Sequence, residues 1–288
     1  MTEHPVRVVD AHVHIWDPAR TDWYPYLSHP PSQGTGDVSG MYRRFDVDTY
    51  QAEAARWNVV KFVNVAAATG RHSIEETSEL DARAPERGGP DAIIGGLPPT
   101  DTVAEAVELL DRQMAAARFR GVRPMGVHEG PLPSAGVLRA LQERNLIFEL
   151  MTHTDQLREA ATGLAGFGDL SVVVEHTGWP RTSSDEERDV WQSGIDALAD
   201  LGANVVCKLS GLAMPFGSMN ADDLAPWLEY AIEAFGVDRC MFASNFPVDS
   251  MFGTFDDLYG AYSQVTSGLD RASRERLFAG NAERVYRC

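Results

Sequence analysis

Short apolar, β-branched runs alternate along this chain with longer stretches in which apolar residues recur at helical spacing. Eight runs are of strand type: Val6 to His14, Val59 to Ala67, Ala92 to Leu97, Phe119 to Met125, Leu146 to Thr152, Ser171 to His176, Asn204 to Ser210 and Arg239 to Ser244. Helical spacing covers Asp48 to Trp57, Ile74 to Ala84, Val103 to Ala117, Ala135 to Arg144, Asp155 to Leu164, Glu186 to Leu201, Ala221 to Phe235, Phe255 to Val265 and Ser273 to Tyr286. Strands separated by helices pair in parallel, since a parallel neighbour needs a crossover long enough to hold a helix. Eight such units predict an α/β fold, a (β/α)8 TIM barrel formed as one domain by residues 1–288. A doubly wound open sheet shares the alternation. Against it, no GxGxxG follows the first strand and no GxxxxGKS/T motif occurs.

One long segment, Pro18 to Phe45, has no regular period and follows the first strand. On a barrel it would lie over the C-terminal mouth, where active sites are built. Its aromatics Trp23, Tyr24 and Tyr26 favour an ordered lid over a disordered loop. Asp101 or Thr102 suits the N-cap of the helix from Val103, with Glu105 in its first turn, whereas Ser273 supplies only half a capping box for the last helix.

With 288 residues and 44% hydrophobic content, the chain can fill a large core. No window approaches the roughly 18 consecutive apolar residues of a membrane span, and Met1 to Pro5 is not a basic region leading into an apolar one, so a cytoplasmic protein is expected. Twenty-five basic against 42 acidic residues give a formal charge of −17. That excess disfavours nucleic acid and anionic membranes as partners, while a local cation cluster can still attract a small anion. Cys207, Cys240 and Cys288 are odd in number and lack CxxC spacing, which argues against a disulfide scaffold or a structural zinc site.

The chemistry is expected at the strand ends. His12 and His14, two apart on the first strand, point to the same face about 7 Å apart, a pair suited to a cation or an oxyanion. Parallel strands bring all C-terminal ends to one rim. Collected there are Arg123; Glu149, Met151 and His153; Glu175, His176, Thr177 and Gly178; Lys208 and Ser210; and the run Ser244-Asn245-Phe246-Pro247-Val248-Asp249. Each has a plainer reading. The histidines could bond backbone carbonyls, Arg123 could pair with Glu149, Lys208 could be held in a similar pair, and His153 and His128 could be solvated loop residues. Asp10 is expected to orient a histidine from behind, and Trp16, Trp179 and Phe246 to line the pocket.

The segments DAHVHIWDP from residue 10, YPYL, FRGVR, VVVEHTG, KLSGL, MFASNFPVD and NAERVY, ending at residue 286, together resemble the amidohydrolase superfamily of metal-dependent-hydrolase type. The likeness is nearest to the lactonase branch that includes L-fuconolactonase, L-rhamnonolactonase and 2-pyrone-4,6-dicarboxylate lactonase. The resemblance implies that His12, His14 and His176 are catalytic. They would either hold one divalent metal, zinc or manganese, or polarise a lactone carbonyl without metal. It makes Arg123 a contact for a carboxylate or sugar acid, and Trp16, His153, Lys208 and Phe246 join it as substrate-binding candidates.

The family's water-activating aspartate of strand eight falls on Asn245. An amide cannot accept the water proton, although it can orient water or substrate. A metal could instead lower the pKa of bound water toward roughly 7, or Asp249 or Glu149 could act as base. Alternatively hydrolysis is lost, leaving a decarboxylase, a lyase or a catalytically silent binding barrel. The reading favoured is a hydrolase of a lactone or related cyclic ester, taking an anionic or sugar-derived small molecule. Assembly as a homo-oligomer stays open.

Overall fold

In a computed structural model of the chain, which describes residues 6–27, 39–125 and 130–288, each strand pairs in parallel with its neighbour in sequence. The strands are β1 (Arg7–Val13), β2 (Asn58–Val65), β3 (Ala92–Leu97), β4 (Phe119–Pro124), β5 (Ile147–Leu150), β6 (Val172–Val174), β7 (Val205–Leu209) and β8 (Cys240–Phe242). The helices are α1 (Val47–Ala54), α2 (His72–Arg87), α3 (Val103–Gln113), α4 (Ala135–Glu143), α5 (Leu157–Leu164), α6 (Asp185–Ala199), α7 (Ala213–Phe216), α8 (Ala221–Phe235), α9 (Phe255–Val265), α10 (Arg271–Glu275) and α11 (Asn281–Tyr286). The ring closes where the chain beyond β8 meets β1. Asn245 N donates to His12 O at 2.9 Å, His14 N donates to Phe246 O at 2.8 Å, and Val13 bridges Phe246. The architecture is the (β/α)8 barrel that the alternation predicts.

Asp10 takes part in this closure, not in orienting an imidazole ring as expected. Fully buried, it accepts hydrogen bonds from Ser244 N at 2.8 Å, Tyr50 OH at 2.9 Å and its own neighbour His12 N at 3.3 Å. A short carboxylate beside two strand ends satisfies the nearest backbone donors, and the histidine rings lie beyond its reach.

The barrel interior is layered. Ile147, Val173, Val206 and Met241 belong to an apolar cluster with Val9, Val65 and Ile94, to which α11 contributes Ala282 and Tyr286. Two residues further along three of these strands, the same face carries Glu149, Glu175 and Lys208, all fully or almost fully buried. Period two thus sets an apolar floor beneath a charged layer. Outside the barrel, a larger apolar cluster seals the helices to the sheet.

Strand bodies match the apolar runs, but β5, β6 and β8 stop at Leu150, Val174 and Phe242, short of the expected ends. Beyond β6 and β8 the backbone turns left-handed, with φ of 52° at His176, 55° at Thr177, 44° at Trp179 and 57° at Asn245. Helix spans are close to expectation, and α8 and α9 start and stop where the pattern does. The last helix begins earlier, at Arg271, capped by Asp270, whose side chain accepts from Ser273 N at 2.7 Å. It then passes through a π turn at Arg276–Gly280. Thr102 caps α3 as foreseen, accepting from Glu105 N at 3.1 Å.

Either side of residues 28–38, the strap after β1 is pinned to the barrel. Trp16 and Phe45 exchange backbone hydrogen bonds at 2.9 and 3.0 Å, and Tyr26 OH donates to Ala67 O at 2.8 Å. Arg20 lies 3.2 Å over the Trp23 ring and pairs with Glu79. The centre of the expected lid and His128 lie outside the described residues. Cys207 and Cys240 are buried free thiols, and burial pushes Cys207 up to about 12, so they are packing residues. Among the described residues, no helix is long and apolar enough to cross a membrane.

Candidate functional site

His12 and His14 leave β1 on one face, as their spacing requires, and their rings meet edge to face with centroids 4.7 Å apart. Their proton positions follow from fixed partners. Val65 O can only accept, so His14 Nδ1, at 2.8 Å, carries a proton and Nε2 keeps its lone pair. The Lys208 ammonium can only donate, so His12 Nδ1, at 3.3 Å, accepts and its proton sits on Nε2. The two Nε2 atoms are 3.1 Å apart, one donor facing one acceptor. Burial holds both imidazoles well below their ordinary pKa, and the nearby cations Lys208 and Arg123 push the same way.

The third imidazole comes from the far side of the barrel. His176 opens a run of four left-handed residues through Trp179, and its ring centroid stands 4.6 Å from that of His12. The turn is braced from outside: Trp191 Nε1 donates to Thr177 O at 2.6 Å, and Ser210 N donates to Thr177 Oγ1 at 3.3 Å. Ser210 Oγ meets His176 Nδ1 at 3.1 Å. Behind the ring lies Gly211, with φ of 70°; a Cβ there would stand 2.5 to 2.6 Å from His176 atoms. Burial, then Lys208 and Arg123, lower His176 to about 3.

Under the histidines lies the charged layer. Lys208 Nζ donates to Glu149 Oε2 at 2.6 Å, and Tyr286 OH donates to Glu149 Oε1 at 2.6 Å. Arg123 reaches Glu175 instead of Glu149, at 3.4 Å, because the fully buried Lys208 already holds Glu149. Burial pushes Glu149 up to about 8, and the neighbouring Glu175 carboxyl works in the same direction. Burial works on Glu175 too, but Arg123, Glu149 and Lys208 outweigh it and hold that carboxyl below its ordinary value. Two cations therefore face two buried carboxyls whose pKa values are driven apart, Glu149 upward and Glu175 downward. Arg123 Nε and Glu175 Oε1 are buried without hydrogen-bond partners.

The walls are aromatic. Trp16 stacks on His14 at 5.7 Å and is fixed by its Nε1 bond to Arg43 O at 3.1 Å. Trp179 stands against His176 at 5.7 Å, and half-buried His153 packs on the outer side of Trp179 at 4.4 Å, one layer away from the histidines. Phe246 turns its ring into the core against Phe255, at 5.5 Å, because its backbone is committed to closing the barrel. Asn245, also buried, donates from Nδ2 to Asp249 Oδ1 at 2.8 Å. Clefts of about 360 Å³ beside Trp16, Arg20 and Glu79 and of about 500 Å³ between Arg43 and Thr254 flank the strap; none of the three histidines lines either.

A divalent ion fits the residues present. His12, Glu175 and His176 each offer a ligand atom, all within 4.8 Å of one another, and the imidazoles are neutral, as ligands must be. For His12 to ligate an ion through Nε2, the Nε2 proton must leave and its 3.1 Å bond to His14 Nε2 must open. The orphaned Glu175 Oε1 adds a carboxylate donor. Glu175 stands beside a histidine that the motif marks, whereas Tyr286 and Gly211 become visible only through contacts distant in sequence.

The chain has recognisable relatives among known proteins. The family model described as amidohydrolase matches residues 9–288. An uncharacterized protein of Sinorhizobium fredii, y4mH, is 32% identical across 98% of this chain and 99% of its own length. An L-fucono-1,5-lactonase of Burkholderia ambifaria is 28% identical across 97% of this chain and 95% of its own. Among solved structures, an amidohydrolase from Burkholderia multivorans with bound zinc shares the fold with a TM-score of 0.78 at 24% identity, covering 97% of this chain and 99% of that one.

Proposed function

Since the chain belongs to the amidohydrolase family, we propose that it hydrolyses a lactone or related cyclic ester of a small organic or sugar acid. The observation that carries this reading is the meeting of three neutral imidazoles, from β1 and the end of β6, above a buried layer in which Lys208 and Arg123 face Glu149 and Glu175. Such a point favours a developing oxyanion more than it favours a neutral ester, which is what lowers a barrier. Water adds to the carbonyl carbon, the ring C–O bond breaks, and the elements of water end in the new carboxyl and the freed hydroxyl.

The His12 Nε2 proton, shared with His14 Nε2 in this state, is the one the β1 pair can turn to a substrate oxygen. Lys208 acts from below through His12, its ammonium committed to Glu149 Oε2 and His12 Nδ1. Arg123 sits at the layer's edge with Nε unpartnered, suited to a substrate carboxylate or hydroxyl. Trp16 and Trp179 wall the ring. A divalent ion such as zinc or manganese, held by His12, His176 and Glu175 with His14 beside them, would supply further carbonyl polarisation and a more acidic water.

The test offers purified protein a panel of aldono-1,5-lactones, L-fucono-1,5-lactone among them, and a dicarboxylated pyrone lactone, following acid release. Ring opening that disappears in His12→Ala supports the reading. No turnover on any lactone, with CO2 released from aromatic or enoic acids instead, replaces it with carbon–carbon cleavage. Metal content measured before and after chelation, with readdition of zinc or manganese, decides whether the imidazoles work with an ion.

A further inference from the structure

The strand-eight corner holds an amide where the resemblance expects a carboxylate, and it holds a carboxyl one turn later. Asn245 is fixed in the left-handed region, its N–H spent on His12 O and its carbonyl on Asp249 N at 3.1 Å. Asp249 is fully buried at the start of the next turn. Its Oδ1 takes the Asn245 Nδ2 bond, and the backbone of Gly211 lies close enough to favour its charged form. Gly211 is the residue packed against the His176 ring, so Asp249 ties the ends of β7 and β8 together behind the histidines. Its Oδ2 is buried and has no partner. Tyr262, whose OH donates to Ala243 O, is the other polar group that senses its charge.

Nδ2 is the end of the amide that meets Asp249 Oδ1, and the bare Oδ2 is the oxygen free to carry a proton, so Oδ1 accepts from the amide whether or not the carboxyl is ionised. The amide's other end, Oδ1, then points away from Asp249. We propose that Asp249 is a positioning residue, which locks the Asn245 amide so that its carbonyl oxygen, not its NH2 group, is presented to the attacking water. The amide then offers the acceptor that a strand-eight carboxylate would offer, while leaving the water proton where it is. A carboxylate has two equivalent oxygens and needs no such lock; an amide has two unlike ends and does. The role of the water rests on the hydrolytic reading, but the lock does not.

Selective 15N labelling of asparagine reads the lock without turnover. The Asn245 side-chain signals are assigned by their loss in Asn245→Asp. One Nδ2 proton is expected downfield and slow to exchange, and both features should fade in Asp249→Asn. On any lactone the wild type opens, Asp249→Asn is expected to lower kcat at least tenfold with KM within twofold, and the exchange Asn245→Asp with Asp249→Asn to restore most of it. Asn245 signals unmoved by Asp249→Asn would overturn the proposal, as would undiminished kcat in that variant, or a folded exchange variant as slow as Asp249→Asn. Should Asp249→Asn fail to fold, the exchange variant decides alone: near wild-type kcat supports the lock and a folded, slow enzyme removes it. If no lactone is turned over, the hydrolytic reading fails while the amide signals still report on the lock.

Discussion

At the corner built by β1 and β6, five of the six histidine ring nitrogens meet a partner: Val65 O, Lys208, Ser210, or each other. At the corner built by β8, a buried carboxyl keeps one oxygen bare, and burial pushes it up to about 8. The first corner is arranged to receive negative charge, with neutral rings above the layer that holds Lys208 and Arg123. The second holds a carboxyl that resists ionisation and an amide that cannot take a proton. The site therefore invests its electrostatics in stabilising charge on the substrate more than in removing a proton from water.

The largest effect that would break this contrast comes from the histidine corner. On a lactone the wild type opens, His176→Ala should lower kcat/KM by on the order of 10³-fold, the upper range for one lost oxyanion donor; a loss under tenfold would move the chemistry elsewhere. Gly211→Ala is next. The new methyl must push the His176 ring, and a displacement near 1 Å costs roughly 10²-fold in rate, so kcat should fall by about that factor while circular dichroism keeps the barrel signature.

Stability against pH sharpens the contrast at the other corner. Burial raises Asp10 to about 6, Glu76 to about 7 and Asp249 to about 8. Between an unfolded carboxylate pKa of about 4 and these values, the folded chain keeps protons that the unfolded chain has lost. Their contribution to stability is therefore largest below about pH 4 and falls as pH rises toward 8, by up to about 1.4 kcal/mol per pH unit for each group. Asp249→Asn removes one of them. Urea melts at pH 5 and pH 8 should show the variant gaining on the wild type as pH rises, and a constant gap would mean Asp249 ionises normally. The smallest effect is expected from Tyr286→Phe, which strips one donor from Glu149 and should cost about 1–2 kcal/mol of unfolding free energy, with kcat changed only severalfold.

The barrel was legible because its strands are buried on both faces, which writes them as β-branched runs, and because amphipathic helices separate them. The histidine pair was legible for a related reason: period two on a strand fixes a common face. Pairing was less so. Arg123 and Glu149 extend the β4–β5 register and looked like natural partners, yet Lys208 from β7 reaches across the barrel to Glu149 and Arg123 turns to Glu175. Competition between two cations for two carboxylates is decided by lengths and layers that no local pattern carries. The strand ends were misjudged for another reason, since left-handed residues at His176 and Asn245 leave no periodic trace. Phe246 looked like pocket lining from its place in a motif, but its backbone duty turns the ring into the core against Phe255.

The turn that carries His176 also sets an order of events under stress. Three residues with side chains, His176, Thr177 and Trp179, sit where L-residues pay roughly 1–2 kcal/mol apiece, and the segment keeps that shape through bonds supplied by Trp191 and Ser210. A segment held by its neighbours is among the first to open when those neighbours loosen. In rising urea, hydrogen exchange at Thr177 and Gly178 should quicken before the strands lose protection, and the enzyme should fall silent while its barrel is still standing.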